Sequence, residues 1–338
     1  MERNLLGTRI SHGIKYLLFI IMGWLCFSIS TLKASTLGAA NFETYVSDDG
    51  EPARINALLE DIFQHADLDV TLLVMRDAFL GSAVLTGKID GEFAYINLGE
   101  DSDQFLLSRV YLPVTLYAVS KDPQVSNVKL FPHLKGSRVA IENRFANTPH
   151  FRSLKDIKFS RNPTTFDAFK QLADDRAPYL ITTELLAREF NIMLANDNEE
   201  TLHFSAKPLV KTGLQLAISK KVSNATQLIE RFNNTVENMQ NIGKFNLPLN
   251  LAWLSKDING DGVADYIGHS SITRSSDDIE SAFSIDHTPT SEASLFVIDG
   301  ISYSSLSEAQ AALPEGAPLA GRESMLDKTT YQQLLRRW

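Results

Sequence analysis

Apolar runs and amphipathic stripes follow one another along the first half of the chain. Apolar and β-branched residues fill 42–46, 69–75 and 93–97, which predicts three short strands. Between these runs, helical spacing of apolar residues predicts helices over 53–65 and 78–86. Because strands separated by single helices are typical of parallel βαβ units, this region is predicted to be α/β.

Two long extended runs, 111–119 and 214–219, interrupt this pattern and enclose a second, smaller α/β unit. An amphipathic helix over 224–242 follows the second run. Within the enclosed unit we predict strands at 138–141, 157–159 and 179–181 and helices at 165–172 and 183–190. The pattern therefore indicates two α/β units joined by two extended segments.

The N-terminus has the three parts of a secretory signal peptide. Basic residues precede the apolar run 16–30, and small residues follow it, with candidate cleavage points after Ala34, Ala39 and Ala40. The run is shorter than the ~20 residues of a spanning helix. We predict a signal peptide over residues 1–34 and export of the remainder, with an uncleaved membrane anchor as the alternative.

Charge and composition narrow the classes of function. The 338 residues carry 32 Lys and Arg against 41 Asp and Glu, a net charge of −9, which argues against nucleic acid as a partner. The one cysteine, Cys26, lies inside the predicted leader, so the exported chain has neither disulfides nor thiolate metal sites. The histidines show no paired ligand spacing, and no nucleophile elbow, phosphate-binding loop or dinucleotide fingerprint is present.

Four short segments together resemble one protein family. They read LTGKIDG at 85–91, LSRVYLPV at 107–114, LKGSRVA at 134–140, and LIERFN at 228–233 followed by NIG at 241–243. In this order and spacing they are similar to the bacterial periplasmic solute-binding proteins that serve amino-acid ABC transporters.

The resemblance implies an α/β, two-lobed, type 2 periplasmic binding fold with two crossover strands. Lobe 1 would comprise residues 42–114 and 214–246, and lobe 2 residues 115–213. Residues 247–338 would form a small α+β C-terminal extension. The ligand would lie between the lobes, at the carboxyl ends of their strands, and hinge closure would enclose it.

Polar residues that follow the predicted strands are the candidates for ligand binding. They are Asp48, Arg76, Asp77, Tyr95, Asn97 and Asp101 in lobe 1, and Asn143, Arg144, Asn147, Thr148, Thr182 and Glu184 in lobe 2. The resemblance implies an arginine near position 101 to clamp an α-carboxylate, but an aspartate stands there. In lobe 2 only Glu184 could hold an amino group as the family's aspartate does. Arg144 could bind a carboxylate or phosphate, or pair with Glu142. The acidic set favours a cationic or sugar-like ligand.

A second candidate site lies in the extension, in the sequence DINGDGVAD. Oxygen ligands at alternate positions with glycines at the turn are typical of a calcium loop, and the segment resembles short extracellular calcium-binding loops. We predict a structural calcium ion, with a plain glycine-rich turn as the alternative. The predicted ligands are Asp257, Asn259, Asp261, the Val263 carbonyl and Asp265.

The rest of the extension is predicted to contain a β-hairpin of 294–298 with 301–303 and helices over 306–313 and 324–337. It would serve as a docking module or as a cap on lobe 1.

These observations predict a monomeric, non-catalytic periplasmic receptor. It would capture a small polar molecule and present it to an ABC permease or a membrane sensor. Two alternatives stay open. One is a dehydratase-like enzyme of the same fold, with Glu184 or Asp101 as acid or base, and the other is an envelope scaffold that binds no ligand.

Overall fold

A mixed β-sheet runs through both predicted lobes. The structure, a computed structural model, describes residues 34–48, 50, 53–99, 103–317 and 322–338, and Thr36–Trp338 form one compact unit. Ten strands make up the sheet. Their bounds are β1 (Ser35–Ala40), β2 (Val70–Met75), β3 (Gly91–Ile96), β4 (Phe105–Leu107), β5 (Leu112–Ser120), β6 (Arg138–Glu142), β7 (Lys158–Asn162), β8 (Tyr179–Thr183), β9 (His203–Phe204) and β10 (Val210–Ser219).

The strand order shows how two long strands join the lobes. The order is β2-β1-β3-β10-β5-β8-β6-β7, with β4 beside β10 and β9 beside β5. β5 and β10 run antiparallel, with Leu112 opposite Leu214 and Leu116 opposite Val210. β10 continues beside β3 in lobe 1, and β5 continues beside β8 in lobe 2. The predicted two-lobed α/β architecture with two crossover strands is confirmed.

Ten α-helices lie in the described part of the chain. Their bounds are α1 (Arg54–His65), α2 (Asp77–Leu85), α3 (Asn143–Ala146), α4 (Pro149–Ser153), α5 (Thr165–Ala173), α6 (Glu184–Asn196), α7 (Ala225–Asn241), α8 (Asn246–Leu249), α9 (Leu306–Ala311) and α10 (Lys328–Leu335). In α1, the apolar residues Ile55, Leu58, Leu59 and Ile62 recur at helical spacing and form one buried face. Among the described residues, no helix has the length and apolar character to span a membrane.

The first strand lies earlier than the sequence predicts. Residues 42–46, predicted as a strand, form a tight turn in which the Val46 amide donates to the Phe42 carbonyl (2.8 Å). β1 lies at Ser35–Ala40, between β2 and β3, and pairs with β3 in parallel. Its small residues gave no strand signal, but the packing requires them. A Cβ added to Gly38 would lie 2.6 Å from the Ile89 side chain.

The extension contributes a second sheet and a separate helix. The sheet order is β13-β11-β12-β14-β15, with β11 (Trp253–Lys256), β12 (Asp265–Gly268), β13 (Phe283–Ser284), β14 (Phe296–Ile298) and β15 (Ile301–Tyr303). The predicted hairpin is confirmed as β14–β15, and its turn residues Asp299 and Gly300 both have positive φ. Trp253 and Ile298 of this sheet pack on a small core of their own, whereas Leu254, Ile267 and Phe283 belong to the main core, as do Tyr331 and Leu334 of α10.

We expect a cleaved leader to end at Ala34. Cleavage after Ala39 or Ala40 would remove β1 from between β2 and β3 and break the lobe-1 sheet. N-terminal sequencing of the exported protein should therefore find Ser35 as the first residue. A mature chain beginning at Ala40 or Asn41 would contradict the placement of β1.

Candidate ligand-binding cleft

Two cavities lie where the carboxyl ends of the lobe-1 and lobe-2 strands face each other. The larger, of about 500 Å³, is lined by residues that follow β1, β2 and β6. The polar ones are Asn41, Asp48, Arg76, Asp77, Glu142, Asn143 and Arg144. The smaller, of about 220 Å³, has a lining that includes Asp77, Glu92, Tyr95, Arg144 and Thr148. This edge of the sheet is where ligands bind in open α/β folds.

Most of the residues singled out in the sequence line one of these cavities. They are Asp48, Arg76, Asp77, Tyr95, Asn143, Arg144 and Thr148. Two others bond to near neighbours, since the Asn97 side chain accepts from the Gly99 amide and that of Asn147 accepts from Arg161. Asp101 lies outside the described residues. Asn41, Glu142 and Glu92 line the cavities but were not among the predicted ligand residues.

Thr182 and Glu184 do not line either cavity. Thr182 is buried in β8, where it stands opposite Tyr117 of β5. The Glu184 carboxylate accepts hydrogen bonds from the Thr115 hydroxyl (2.9 Å) and from Arg188 (2.7 Å). Its hydrogen bonds therefore go to β5 and to its own helix rather than into the cavities.

Arg144 lies between the two cavities and reaches from lobe 2 to lobe 1. Its Nη2 donates to the Asn41 carbonyl (2.5 Å), and its guanidinium lies 3.9 Å from the centre of the Phe42 ring. Its Nε is 3.7 Å from a Glu142 carboxylate oxygen. Burial lowers the pKa of Arg144, and the charges of Glu142 and Asp77 partly offset this. The guanidinium is therefore already engaged by the protein.

The turn at 42–46 places aromatic rings between the two lobes. Phe42 stacks on Tyr45 with 4.4 Å between ring centres, and it meets Phe145 of lobe 2 edge-on at 6.2 Å. Thr44, at the centre of the turn, has φ of 63°, which is rare for a β-branched residue. Such backbone is typical of functional sites. Because the sequence pattern predicted a strand here, it gave no sign of this packing.

A carboxyl cluster lies beside the cleft, where both lobes meet the extension. Burial raises the pKa of Glu43 to about 7; the Tyr331 hydroxyl opposes this shift, and the charges of Glu142 and Asp327 add to it. Burial likewise raises the pKa of Glu142, whose carboxylate accepts from the Thr165 hydroxyl (2.6 Å). Glu43 comes from lobe 1, Glu142 from lobe 2, and Asp327 and Tyr331 from the extension.

The predicted calcium loop connects β11 to β12. The Asp257 carboxylate accepts from the amides of Gly260 (2.7 Å) and Gly262 (2.9 Å), and Asp261 accepts from Val263 (2.8 Å). Asp265 is buried and accepts from the Leu295 amide (2.9 Å). Among the described residues, no group of three or more His, Cys, Asp or Glu is arranged to hold a metal. Calcium binding with Asn259 and the Val263 carbonyl stays a prediction.

Comparisons with known proteins rest on structure rather than on sequence. No family model matches the chain, and no curated protein matches its sequence. Solved structures do match. The amino acid ABC transporter substrate-binding protein AbpA from Streptococcus pneumoniae, bound to L-arginine, has a TM-score of 0.50 and 15% identity, over 64% of this chain and 93% of AbpA.

Two further matches have similar scores. The GluR0 ligand-binding core from Nostoc punctiforme, in complex with L-glutamate, has a TM-score of 0.51 and 14% identity over 63% of this chain and 96% of its own. The VFT2 domain of BvgS from Bordetella pertussis has a TM-score of 0.51 and 17% identity, over 64% of this chain and 91% of the VFT2 chain. These matches define the class of fold, which is two-lobed. The chain has the type 2 periplasmic binding fold, as its motifs predicted.

We expect Glu43→Gln to change how stability depends on pH. In wild type, the unfolded chain ionises Glu43 near pH 4.5, while the folded protein keeps the proton until about pH 7. The free energy of unfolding therefore falls over this window, by about 2–3 kcal/mol from this residue. Denaturant unfolding at pH 5 and pH 8 should show that Glu43→Gln removes this fall, whereas the exposed control Glu230→Gln keeps it. Parallel pH profiles for wild type and Glu43→Gln would contradict the assignment.

We expect calcium to stabilise the protein through the β11–β12 loop. Calcium at ten times its dissociation constant adds about 1.4 kcal/mol, or roughly 2–4 °C in melting temperature. Asp257→Asn with Asp261→Asn should abolish the difference between melts in calcium and in chelator. Asp278→Asn, an exposed aspartate of the same extension, is the control. Equal melting temperatures of wild type in calcium and in chelator would contradict the prediction and would show that the loop is a turn that does not bind calcium.

Proposed function

We propose that this protein is a periplasmic receptor that binds a small, positively charged molecule between its lobes. It presents that molecule to a membrane permease or a membrane sensor, acts as a monomer and catalyses no reaction. The neighbouring structures support a ligand-binding role, because they are ligand-binding proteins of the same fold.

The observation that carries the proposal is the charge around the larger cavity. Three carboxylates, those of Asp48, Asp77 and Glu142, line about 500 Å³ of space that lies at the ligand-binding edge of the fold. Of the two arginines in the lining, Arg144 pairs with Glu142 and contacts Asn41 and Phe42, which leaves the carboxylates of Asp48 and Asp77 facing the one charge of Arg76. The cavity therefore favours an amine or guanidinium group and disfavours a second carboxylate.

The volume of the larger cavity sets the size of the ligand. A cavity of this volume is at the small end of the range for small-molecule sites. Asp77 lines both cavities, so its carboxylate can be contacted from either cavity. A ligand with two charged ends, such as arginine or a short diamine, could make this contact.

Calorimetric titration with arginine, putrescine, glutamate and glucose tests the proposal. We expect arginine or putrescine to bind, and Asp77→Asn to weaken that binding at least tenfold, because it removes a cleft charge without changing side-chain size. Asp156→Asn, an exposed aspartate on lobe 2, should bind as wild type does. Tight binding of glutamate, with neither basic compound bound, would reverse the proposed ligand class.

A further inference from the structure

The extension, residues 247–338, begins firmly attached to lobe 1. The Asn246 side-chain amide donates to the carbonyls of Leu251 (3.1 Å), Ala252 (2.9 Å) and Ile267 (3.0 Å), and it is fully buried. Lys256 of β11 donates to the side chain of Asn241 at the end of α7 (2.9 Å). The second sheet is therefore fixed to the end of lobe 1.

The extension ends on lobe 2. The Tyr331 ring of α10 lies 5.4 Å from Phe166 and 5.8 Å from Phe190, and it is fully buried. Arg337 pairs with Asp174 (2.7 Å) at the surface of the same lobe. A segment attached to lobe 1 at its start and to lobe 2 at its end bridges the two lobes.

Glu189 of α6 is the point where lobe 1, lobe 2 and the extension meet. Its carboxylate accepts hydrogen bonds from Arg54 of α1 and from Arg322 of the extension. The Met325 amide donates to the same carboxylate (2.9 Å). Arg54 and Glu189 are each 1% exposed, and the other end of the Arg54 guanidinium donates to the Leu249 carbonyl.

The lobes also touch each other directly. The Tyr45 hydroxyl of lobe 1 and the Thr183 hydroxyl of lobe 2 are 2.9 Å apart and buried. The His150 amide of lobe 2 donates to the Leu98 carbonyl of lobe 1 (3.3 Å). With the Arg144 contact, these bonds close the cleft using only groups of the protein.

We propose that the extension is a built-in strap that fastens the two lobes in the closed arrangement before any ligand binds, with Glu189 as its clasp. Opening the hinge would pull Arg54 away from Glu189 and would leave the buried Arg54 guanidinium without its counterion. Arg322 holds the end of the extension on the same carboxylate, and the start of the extension is fixed to lobe 1, so separation of the lobes would strain the extension or detach Arg322. The proposal concerns the unliganded protein and does not depend on the ligand class proposed above.

Single-molecule energy transfer between the lobes tests the strap. Lys88→Cys on lobe 1 and Lys158→Cys on lobe 2 are exposed labelling positions, and a Cys26→Ser background leaves no other cysteine. Without ligand, wild type should show one high-transfer population. Arg322→Gln should add a low-transfer population of at least a tenth of the molecules.

Arg337→Gln is the matched control. It removes an arginine–carboxylate pair between the same extension and the same lobe, but Arg337 is 52% exposed and its partner is not shared with lobe 1. Its distribution should match wild type. Arg322→Lys, which keeps the charge but loses the two-pronged geometry, should fall between wild type and Arg322→Gln.

Three outcomes would overturn the strap. The first is a low-transfer population in unliganded wild type that reaches a tenth of the molecules. This result would overturn the proposal even if Arg322→Gln failed to fold. The second is a folded Arg322→Gln with the wild-type distribution. The third is an equal opening in Arg337→Gln, which would show that any loosening of the extension suffices and that Glu189 is not the clasp.

Discussion

The buried carboxylate of Glu189 is the constraint on which the arrangement of lobes and extension depends. Burial raises its pKa, but hydrogen bonds from Arg322 and the charges of Arg54 and Arg322 outweigh this and hold the pKa below its ordinary value. Burial in turn lowers the pKa of Arg54. Separating Arg54 from Glu189 would leave the Arg54 charge buried without a counterion, and a loss of this kind costs about 3–5 kcal/mol. Neither lobe can therefore move away from this point without a large penalty.

This constraint changes what a ligand contributes. In a hinge protein that is open at rest, part of the binding energy is spent on closure, and the apparent affinity falls with the population of the closed state. Here the contacts of Tyr45 with Thr183 and of Arg144 with Asn41 form within the protein itself. A ligand would find a preorganised cavity, but it would have to enter between lobes that are already held together. The slow step of binding would then be entry of the ligand into the cavity rather than closure of the lobes around it.

Local periodicity predicted most elements because their apolar faces repeat within a few residues. The stripe of α1 and the run of β5 are examples. Local periodicity failed at β1, where the small residue Gly38 is required by contacts with Ile89 and Leu80 that form only in the folded protein. It also gave no sign of the clasp, because Arg54 and Glu189 are 135 positions apart and each is an ordinary polar residue within its own helix. Most of the candidate cleft residues could be found from their places after strands, whereas the places of Glu142 and Asn41 in the cavity lining emerged only from three-dimensional packing.

The strap and the cleft are linked by thermodynamics as well as by contacts. Arg144 touches the turn at 42–46, and Glu43 of that turn feels the charge of Asp327 beside the last helix of the extension. Any ligand that prefers one spacing of the lobes must therefore shift the equilibrium of the extension. Linkage makes the effect reciprocal, so a partner that holds or pulls the extension changes ligand affinity by the same factor. Under the proposed function, occupancy of the cleft would therefore be reported at the C-terminal helix.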